Sequence, residues 1–312
     1  MSSSRIKIFA GNSNPALVRA VSEAMDLPVG EALVSEFSDG EVRVEIHENV
    51  RGEDAFVIQS TCRPVNRSLM ELLLMIDALK RASAANITAV LPYYGYGRQD
   101  QKDKPRVSIT AKLVADLISE AGADRVISID LHANQIQGFF KIPVDNLSGV
   151  KVLFADLRNH LYGDEVVVAP DAGGVTRARE FARRVNADLA IMDYRGMSYD
   201  APASIVGDVR DRSVILLDDM VDTGKTLVRT AAAAKAAGAR TVDAFCVHAI
   251  LSQGAIDRIN ASEIRWLVVT DTIPLSPEAA QCEKIRVASV SMMLAECIER
   301  VHYRKSVSSL VA

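Results

Sequence analysis

Val214-Ile-Leu-Leu-Asp-Asp-Met-Val-Asp-Thr-Gly-Lys-Thr226 is the stretch that decides how this chain reads. Val214 to Leu217 form an unbroken apolar run, the pattern of a strand buried on both faces of a parallel sheet. Leu227 to Ala237 is helix-like, so Asp222-Thr-Gly-Lys-Thr226 becomes a strand-to-helix turn, and open α/β sheets bind ligands at such turns. Gly224 allows close backbone approach, while Thr223 and Thr226 add hydroxyls to the exposed N–H groups of a helix start; together they suit a phosphate dianion. Asp218 and Asp219 are placed to accept hydrogen bonds from sugar hydroxyls. An ordinary N-capped turn is the alternative, but two adjacent carboxylates after a buried strand are costly without ligand or cation partners. The ending Gly224-Lys225-Thr226 mimics a Walker A loop, yet Asp219 stands where the first glycine of that loop belongs.

Length and composition leave room for such a site. The chain has 312 residues, 49% apolar and 24% charged, enough for two domains of ordinary size, each with its own core. A net charge of −4 and a pI of about 5.8 lack the electrostatic footprint of a nucleic-acid binder. The longest apolar runs, such as Leu72 to Ile76, fall far short of the roughly 20 residues a spanning helix needs, and Met1-Ser-Ser-Ser-Arg-Ile has no apolar signal region. No nucleic acid, no membrane and a cytoplasmic location are expected. Cys62, Cys246, Cys282 and Cys297 lack Cys-x-x-Cys spacing and read as reduced packing residues.

Strand-like and helix-like segments alternate along the chain, which argues for α/β layers with largely parallel sheets. The strand-like segments include Ile6 to Ala10, Ala55 to Thr61, Thr88 to Pro92, Arg125 to Ile129 and Val166 to Ala169. A helix over about Asn66 to Ala85 opens with a Ser68-x-x-Glu71 capping box and carries Leu69, Leu72, Leu73, Ile76 and Leu79 on one face. The strand, turn, helix and strand from Ala55 to Tyr94 recur in order and spacing from Ser213 to Leu251, so two related halves are expected. The boundary falls near Pro143 to Val150, with two tightly packed domains and a site between them.

Three further stretches sit at predicted strand ends. Asp171-Ala172-Gly173-Gly174-Val-Thr-Arg-Ala-Arg179 is a second glycine turn, in which Gly173 and Gly174 free N–H groups for anionic oxygens and Asp171 could hold a cation; a tight connection with glycines for geometry alone is the bland alternative. In Tyr93-Tyr-Gly-Tyr-Gly-Arg-Gln-Asp-Gln-Lys102, Arg98 can grip phosphate oxygens, and Gln99 and Asp100 can read a purine edge or ribose, although a solvated loop is equally compatible. Asp130-Leu-His132 follows another strand, and His132 is either a structural histidine or a Mg²⁺ ligand. Arg98, His132, Asp171 and Asp219 are expected to face one cleft.

The Asp218 to Thr226 segment resembles the phosphoribosyl-diphosphate signature shared by type I phosphoribosyltransferases and ribose-phosphate diphosphokinases. Phe37-Ser-Asp-Gly-Glu41, Val50-Arg-Gly-Glu-Asp54, Arg98 to Lys102, Asp130 to His132, Gln135-Ile-Gln-Gly-Phe-Phe140 and Asp171 to Gly174 look like the second family, in its order and over nearly the whole chain. A phosphoribosyltransferase would share only the first segment. The resemblance implies two similar phosphoribosyltransferase-like α/β domains in tandem: residues 1–147 on the ATP side, and 148–312 carrying the diphosphate and ribose 5-phosphate loops. It implies transfer of the diphosphoryl group of MgATP to the C1 hydroxyl of ribose 5-phosphate, with AMP leaving. Phe37, Asp39, Glu41, Arg98 and Gln99, with Asp100 beside them, then fall in the ATP pocket, the first three from a neighbouring subunit. His132 and Asp171 fall on metal positions with Mg²⁺ as cofactor, Asp171 to Gly174 on the diphosphate loop, and Asp218, Asp219 and Asp222 to Thr226 on the ribose 5-phosphate loop. The family forms dimers that assemble into hexamers and is commonly activated by phosphate and inhibited by ADP. Arg51, Arg106 and the Ser306, Ser308 and Ser309 tail resemble parts of that regulatory site.

The pattern breaks in one loop. After the strand Leu189-Ala-Ile-Met-Asp193 the family carries a Lys-x-Arg motif that meets the reacting phosphates; here Tyr194 and Gly196 take those positions and only Arg195 is basic. The family also has a small residue where this chain has Lys225. Three readings stay open: a working enzyme in which Arg195, Lys225 or a Lys102/Lys104 side chain supplies the charge, a low-activity or regulatory paralogue, and a phosphoribosyltransferase.

Overall fold

The computed structural model describes residues 5–157, 163–194 and 203–311, which divide into two compact units. The first runs to Ser148 and also takes Thr272–Pro274 and the chain from Val290 onward. The second comprises Gly149–Asp271 and Leu275–Ser289.

In the first unit, β1 (Ile6–Ala10), β4 (Asp54–Ile58), β5 (Asn86–Leu91), β6 (Arg125–Ile129) and β7 (Val144–Leu147) form one parallel sheet in the order β1-β4-β5-β6-β7. β4 is buried at every position, as expected of a central strand with both faces covered. Helices α1 (Pro15–Met25), α2 (Val65–Arg81) and α3 (Thr110–Ala121) connect the strands, and β2 (Ala32–Glu36) and β3 (Val42–Ile46) form a separate antiparallel hairpin. Leu72, Met75, Ile76 and Leu79 of α2 are fully buried against Val57, Ala89 and Leu91. Removing one of these side chains to alanine is the kind of change that costs about 2–5 kcal/mol.

The expected capping box on α2 is not formed. The helix begins one turn earlier, with Pro64 at its N-cap, so Ser68 and Glu71 lie inside the helix and are buried. Pro64 is tolerated there because the first turn needs no N–H donor.

The second unit repeats the frame. β8 (Glu165–Ala169), β11 (Ser213–Val221), β12 (Thr241–Ala249), β13 (Leu267–Thr270) and β14 (Ile285–Ala288) run parallel, and β9 (Asp188–Tyr194) and β10 (Ala203–Val206) extend the sheet to the order β10-β9-β8-β11-β12-β13-β14. Only the β10–β9 pair is antiparallel. Helices α4 (Val150–Leu157), α5 (Val175–Val185), α6 (Lys225–Ala236), α7 (Ala255–Asn260) and α8 (Pro277–Ala280) complete it. The internal echo is therefore structural: β4-α2-β5 and β11-α6-β12 are the same parallel β-α-β unit at the centre of each sheet.

Two boundaries differ from the sequence reading. β11 does not stop at Leu217, because its pairing with β12 continues through Asp218↔Cys246 to Val221↔Ala249. The last helix, α9 (Ser291–His302), lies with the first unit, although a continuous 148–312 domain would put it in the second. It packs on α1, His302 Nδ1 lies 2.7 Å from Asp54 Oδ2 at the start of β4, and Val311 pairs with Leu147.

Candidate active site

The Asp222–Thr226 turn sits between β11 and α6, as its sequence predicts. Gly224 is the N-cap of α6 with φ of +74°, a left-handed conformation that only glycine adopts at low cost. Its carbonyl accepts the Val228 N–H, and the Asp222 carbonyl accepts the Ser252 N–H. Arg258 of α7 donates from Nη1 to the Thr223 carbonyl at 3.0 Å. Lys225, the first residue of α6, is exposed. A helix start of this kind has backbone N–H groups without intrahelical partners, the feature that suits an anion. Arg258 received no role in the sequence reading, since a residue 35 positions from its partner leaves no local signal.

Asp218 and Asp219 belong to the strand rather than the turn. Asp219 is buried, and Asp218 Oδ1 accepts the Asp219 N–H at 2.9 Å. Their cation partner is Arg177, whose Nη1 lies 3.4 Å from Asp219 Oδ1 and 3.7 Å from Asp218 Oδ1. Arg177 stands in the first turn of α5, which follows the Asp171–Gly174 turn, so this ion pair ties the start of α5 to β11. In that second turn Asp171 is exposed and its Oδ1 accepts the Gly174 N–H at 2.9 Å, which fixes the loop for the helix to follow.

Burial, and then the neighbouring Asp219 carboxylate, push the Asp218 carboxyl well above the usual carboxylate range, with Arg177 opposing the shift. The native state therefore holds a proton that the unfolded chain has already lost, and stability falls as pH rises from the ordinary carboxylate pKa through the raised one. Asp218→Asn is expected to raise the thermal midpoint above wild type at pH 8, with the gap closing as pH falls towards 4. Thermal melts across that range check it, and a midpoint lowered by the substitution at pH 8 contradicts it.

The first unit carries the other sequence-predicted groups. Arg98 and Gln99 are exposed in the loop after β5, where the Gln99 carbonyl accepts the Ala111 N–H at 3.1 Å. Gln135 Nε2 donates to Asp100 Oδ2 at 3.1 Å, which ties this loop to the 3₁₀ turn Asn134–Phe139 after β6. His132 is exposed just before that turn, and a Cβ added at Gly97 would lie 3.6 Å from its own Cβ. Arg98, Asp100 and His132 are thus brought together at adjacent strand ends. Gly95 fixes where the loop begins: a Cβ there would meet the Thr61 carbonyl at 2.2 Å, and its N–H donates to Thr61 Oγ1 at 2.6 Å.

Phe37, Asp39 and Glu41 lie apart from this cluster in sequence and element, at the exposed tip of the β2–β3 hairpin. The tip is closed by Phe37 N–H to the Glu41 carbonyl at 2.8 Å and by Glu41 N–H to Asp39 Oδ1 at 3.1 Å. Arg51 and Arg106 are exposed. The Ser306–Ser309 tail folds onto Arg300 of α9, which donates from Nη1 to the Ser306 carbonyl at 2.7 Å and to Ser309 Oγ at 3.0 Å; Ser306 Oγ donates to Ser308 Oγ at 3.0 Å. Arg195 and Gly196 lie outside the described residues.

All four cysteines are free and buried. Burial pushes the Cys62 thiol up to about 11, Cys297 up to about 12 and Cys246 well above its usual value, so these are inert packing groups. Among the described residues no three His, Cys, Asp or Glu side chains gather as a metal cage, and no helix is long and apolar enough to cross a membrane.

Comparison with known proteins assigns the frame. The family model described as the N-terminal domain of ribose phosphate pyrophosphokinase matches residues 6–122, and the phosphoribosyl synthetase-associated domain matches residues 195–312. Ribose-phosphate pyrophosphokinase of Burkholderia pseudomallei (strain K96243) is 52% identical over 310 residues, 98% of each chain. The protein of that name from Caldanaerobacter subterraneus subsp. tengcongensis is 53% identical over 308 residues, covering 98% of this chain and 97% of its own. Among solved structures, the phosphoribosylpyrophosphate synthetase of Mycobacterium smegmatis superposes with a TM-score of 0.92 at 40% identity, covering 96% of this chain and all of that one. Similarity of this degree, end to end and in both sequence and fold, places the chain in the ribose-phosphate pyrophosphokinase (diphosphokinase) family.

Proposed function

We propose that this chain performs its family's reaction with the two glycine turns of the second unit as the phosphate sites: it transfers the diphosphoryl group of MgATP to the C1 hydroxyl of ribose 5-phosphate, giving phosphoribosyl diphosphate and AMP. The observation that carries the assignment is the Asp222–Thr226 turn, with Gly224 in the left-handed region at the start of α6 and Asp218 and Asp219 on the adjoining strand beside Arg177. The turn's N–H groups hold the 5-phosphate, and the carboxylates accept hydrogen bonds from the ribose hydroxyls. Asp171 to Gly174 hold the diphosphate, and Arg98, Gln99 and Asp100 hold the nucleotide, with Phe37, Asp39 and Glu41 reaching it from a neighbouring subunit of a homo-oligomer. Most of the work is positioning and charge neutralisation, as in other phosphoryl transfers.

Mg²⁺ is typical of the family. The ion needs no all-protein cage, since it is held through one or two carboxylates while substrate phosphates complete its shell, and the exposed Asp171 carboxylate fits that use. Asp171 would help to hold it, and when bound it neutralises phosphate charge. Dimers assembling into hexamers, with phosphate activating and ADP inhibiting through Arg51, Arg106 and the Ser306–Ser309 tail, complete the reading. The buried free thiols are compatible with work in the cytoplasm. AMP release with ribose 5-phosphate, MgATP and phosphate, followed in a coupled assay, is the direct test.

Arg258 gives a second, more local one. Because it anchors the Thr223 carbonyl, Arg258→Met is expected to raise KM for ribose 5-phosphate about threefold while leaving KM for MgATP alone. Steady-state kinetics with each substrate varied separately decide it, and equal changes in both constants count against the assignment.

A further inference from the structure

Glu71 is a carboxylate buried inside α2, away from every group assigned above. Burying an ionised carboxylate costs several kcal/mol unless charge and hydrogen bonds compensate. Here they do so from several elements. The Asn12 N–H donates to Oε2 at 3.1 Å and Asn12 Nδ2 to Oε1 at 3.0 Å, both from the loop after β1. Gln59, just past β4, donates from Nε2 to Oε2 at 2.8 Å. Arg67, one turn earlier on α2, places Nε 3.0 Å from Oε1. Two of these three partners then reach outward to β2. Arg67 Nε lies 2.9 Å from Glu36 Oε1, and Asn12 Nδ2 also donates to the Val34 carbonyl at 3.0 Å. Glu36 is the last residue of β2, immediately before Phe37, and Val34 lies two residues before it.

We propose that Glu71 and Arg67 are positioning residues for the nucleotide-binding hairpin: the Asn12–Glu71–Arg67–Glu36 bracket fixes the angle at which β2 and β3 present Phe37, Asp39 and Glu41. The hairpin needs such a bracket because it belongs to neither parallel sheet. A hairpin of five-residue strands is marginally stable alone and must be held by what it packs on. Its apolar contacts, Ala32, Val34, Val44 and Ile46 against the core, are not directional, so they keep it seated without setting its tip. Charge-assisted hydrogen bonds at Glu36 and a backbone bond at Val34 are directional and act beside the tip. A shift of about 1 Å at a contact group is enough to cost binding or rate. β1, its loop and α1 occupy the place in the first sheet that β8, the Asp171 turn and α5 occupy in the second. The first half answers its loop N–H with its own Glu71 carboxylate, so that loop serves as an anchor.

The inference rests on the hairpin's role in ATP binding, and the experiment separates the two. Arg67 is partly exposed, so Arg67→Met spares the core. It is expected to raise KM for MgATP about three- to tenfold, to leave KM for ribose 5-phosphate within about twofold, and to speed amide exchange in the hairpin more than in the parallel sheet. Arg67→Lys recovers part of the loss, and Glu36→Gln reproduces part of it. Phe37→Ala is the control. If Phe37→Ala raises KM for MgATP and Arg67→Met does not, the bracket is overturned and the hairpin assignment stands. If neither changes it, the hairpin assignment falls and the bracket's role falls with it. Equal rises in both KM values with a lowered thermal midpoint show a general folding role and also overturn the proposal.

Discussion

Lys225→Ala is expected to lower kcat at least tenfold, with little change in KM for either substrate. The diphosphoryl group passes through a transition state whose charge is spread over its oxygens, and a cation that acts mainly there appears in kcat rather than KM. By analogy with an arginine finger, losing such a cation altogether costs roughly 10³-fold or more, on the order of 4 kcal/mol of barrier. The family pattern supplies it from a lysine and an arginine, which this chain replaces with Tyr194 and Gly196. Arg177 is already engaged by the Asp218 and Asp219 pair. Lys225 is exposed at the first position of α6, within the turn assigned to the sugar phosphate. Arg195→Ala is the parallel test in the altered loop. If both alanine variants keep wild-type turnover in the AMP-release assay, the relocated-cation idea is wrong. Tyr194→Lys with Gly196→Arg restores the family pattern and raises turnover if the loop can still reach. A wild-type protein that binds ATP yet releases no AMP, and is revived by that double change, is a regulatory paralogue.

Asp219→Ala should weaken ribose 5-phosphate binding roughly tenfold to a hundredfold while MgATP binding changes little. Hydrogen bonds to a charged group contribute about 1.5–3 kcal/mol, which converts to that range. Asp219 is the more buried of the two carboxylates and the nearer to Arg177, so its removal also leaves the guanidinium with Asp218 alone. Its effect belongs to the sugar because it adjoins the Asp222–Thr226 turn, in a different element from the loops that carry Arg98 and Gln99. Calorimetric titration of each ligand separately is the measurement. Equal losses for both ligands rule the role out.

The features of the candidate site differ in how far the sequence reveals their placement. Gly224 is legible because a left-handed residue at a helix start is a local steric demand, answered within a few positions of the chain. The repeated strand-turn-helix frame is legible for the same reason: apolar runs and glycine turns are properties of short segments, and two similar series imply two similar units. What required the tertiary structure is every pairing between segments. Ser68 and Glu71 fit a capping box by spacing, but α2 starts at Val65 and turns Glu71 into a buried hub for Asn12, Gln59 and Arg67. β11 runs on through Asp218 and Asp219 because β12 continues beside it, and a polar residue inside a strand is explained only by its neighbour. Arg177, Arg258 and Arg300 look like ordinary surface arginines in sequence; their partners lie in other segments and were chosen by the fold. The sequence by itself determined where the glycine turns fall between strand and helix, because turn geometry is local. The tertiary structure decided which charges neutralise the aspartates, what steadies the hairpin and where the last helix belongs, because Coulomb attraction and burial depend on distance in space rather than along the chain.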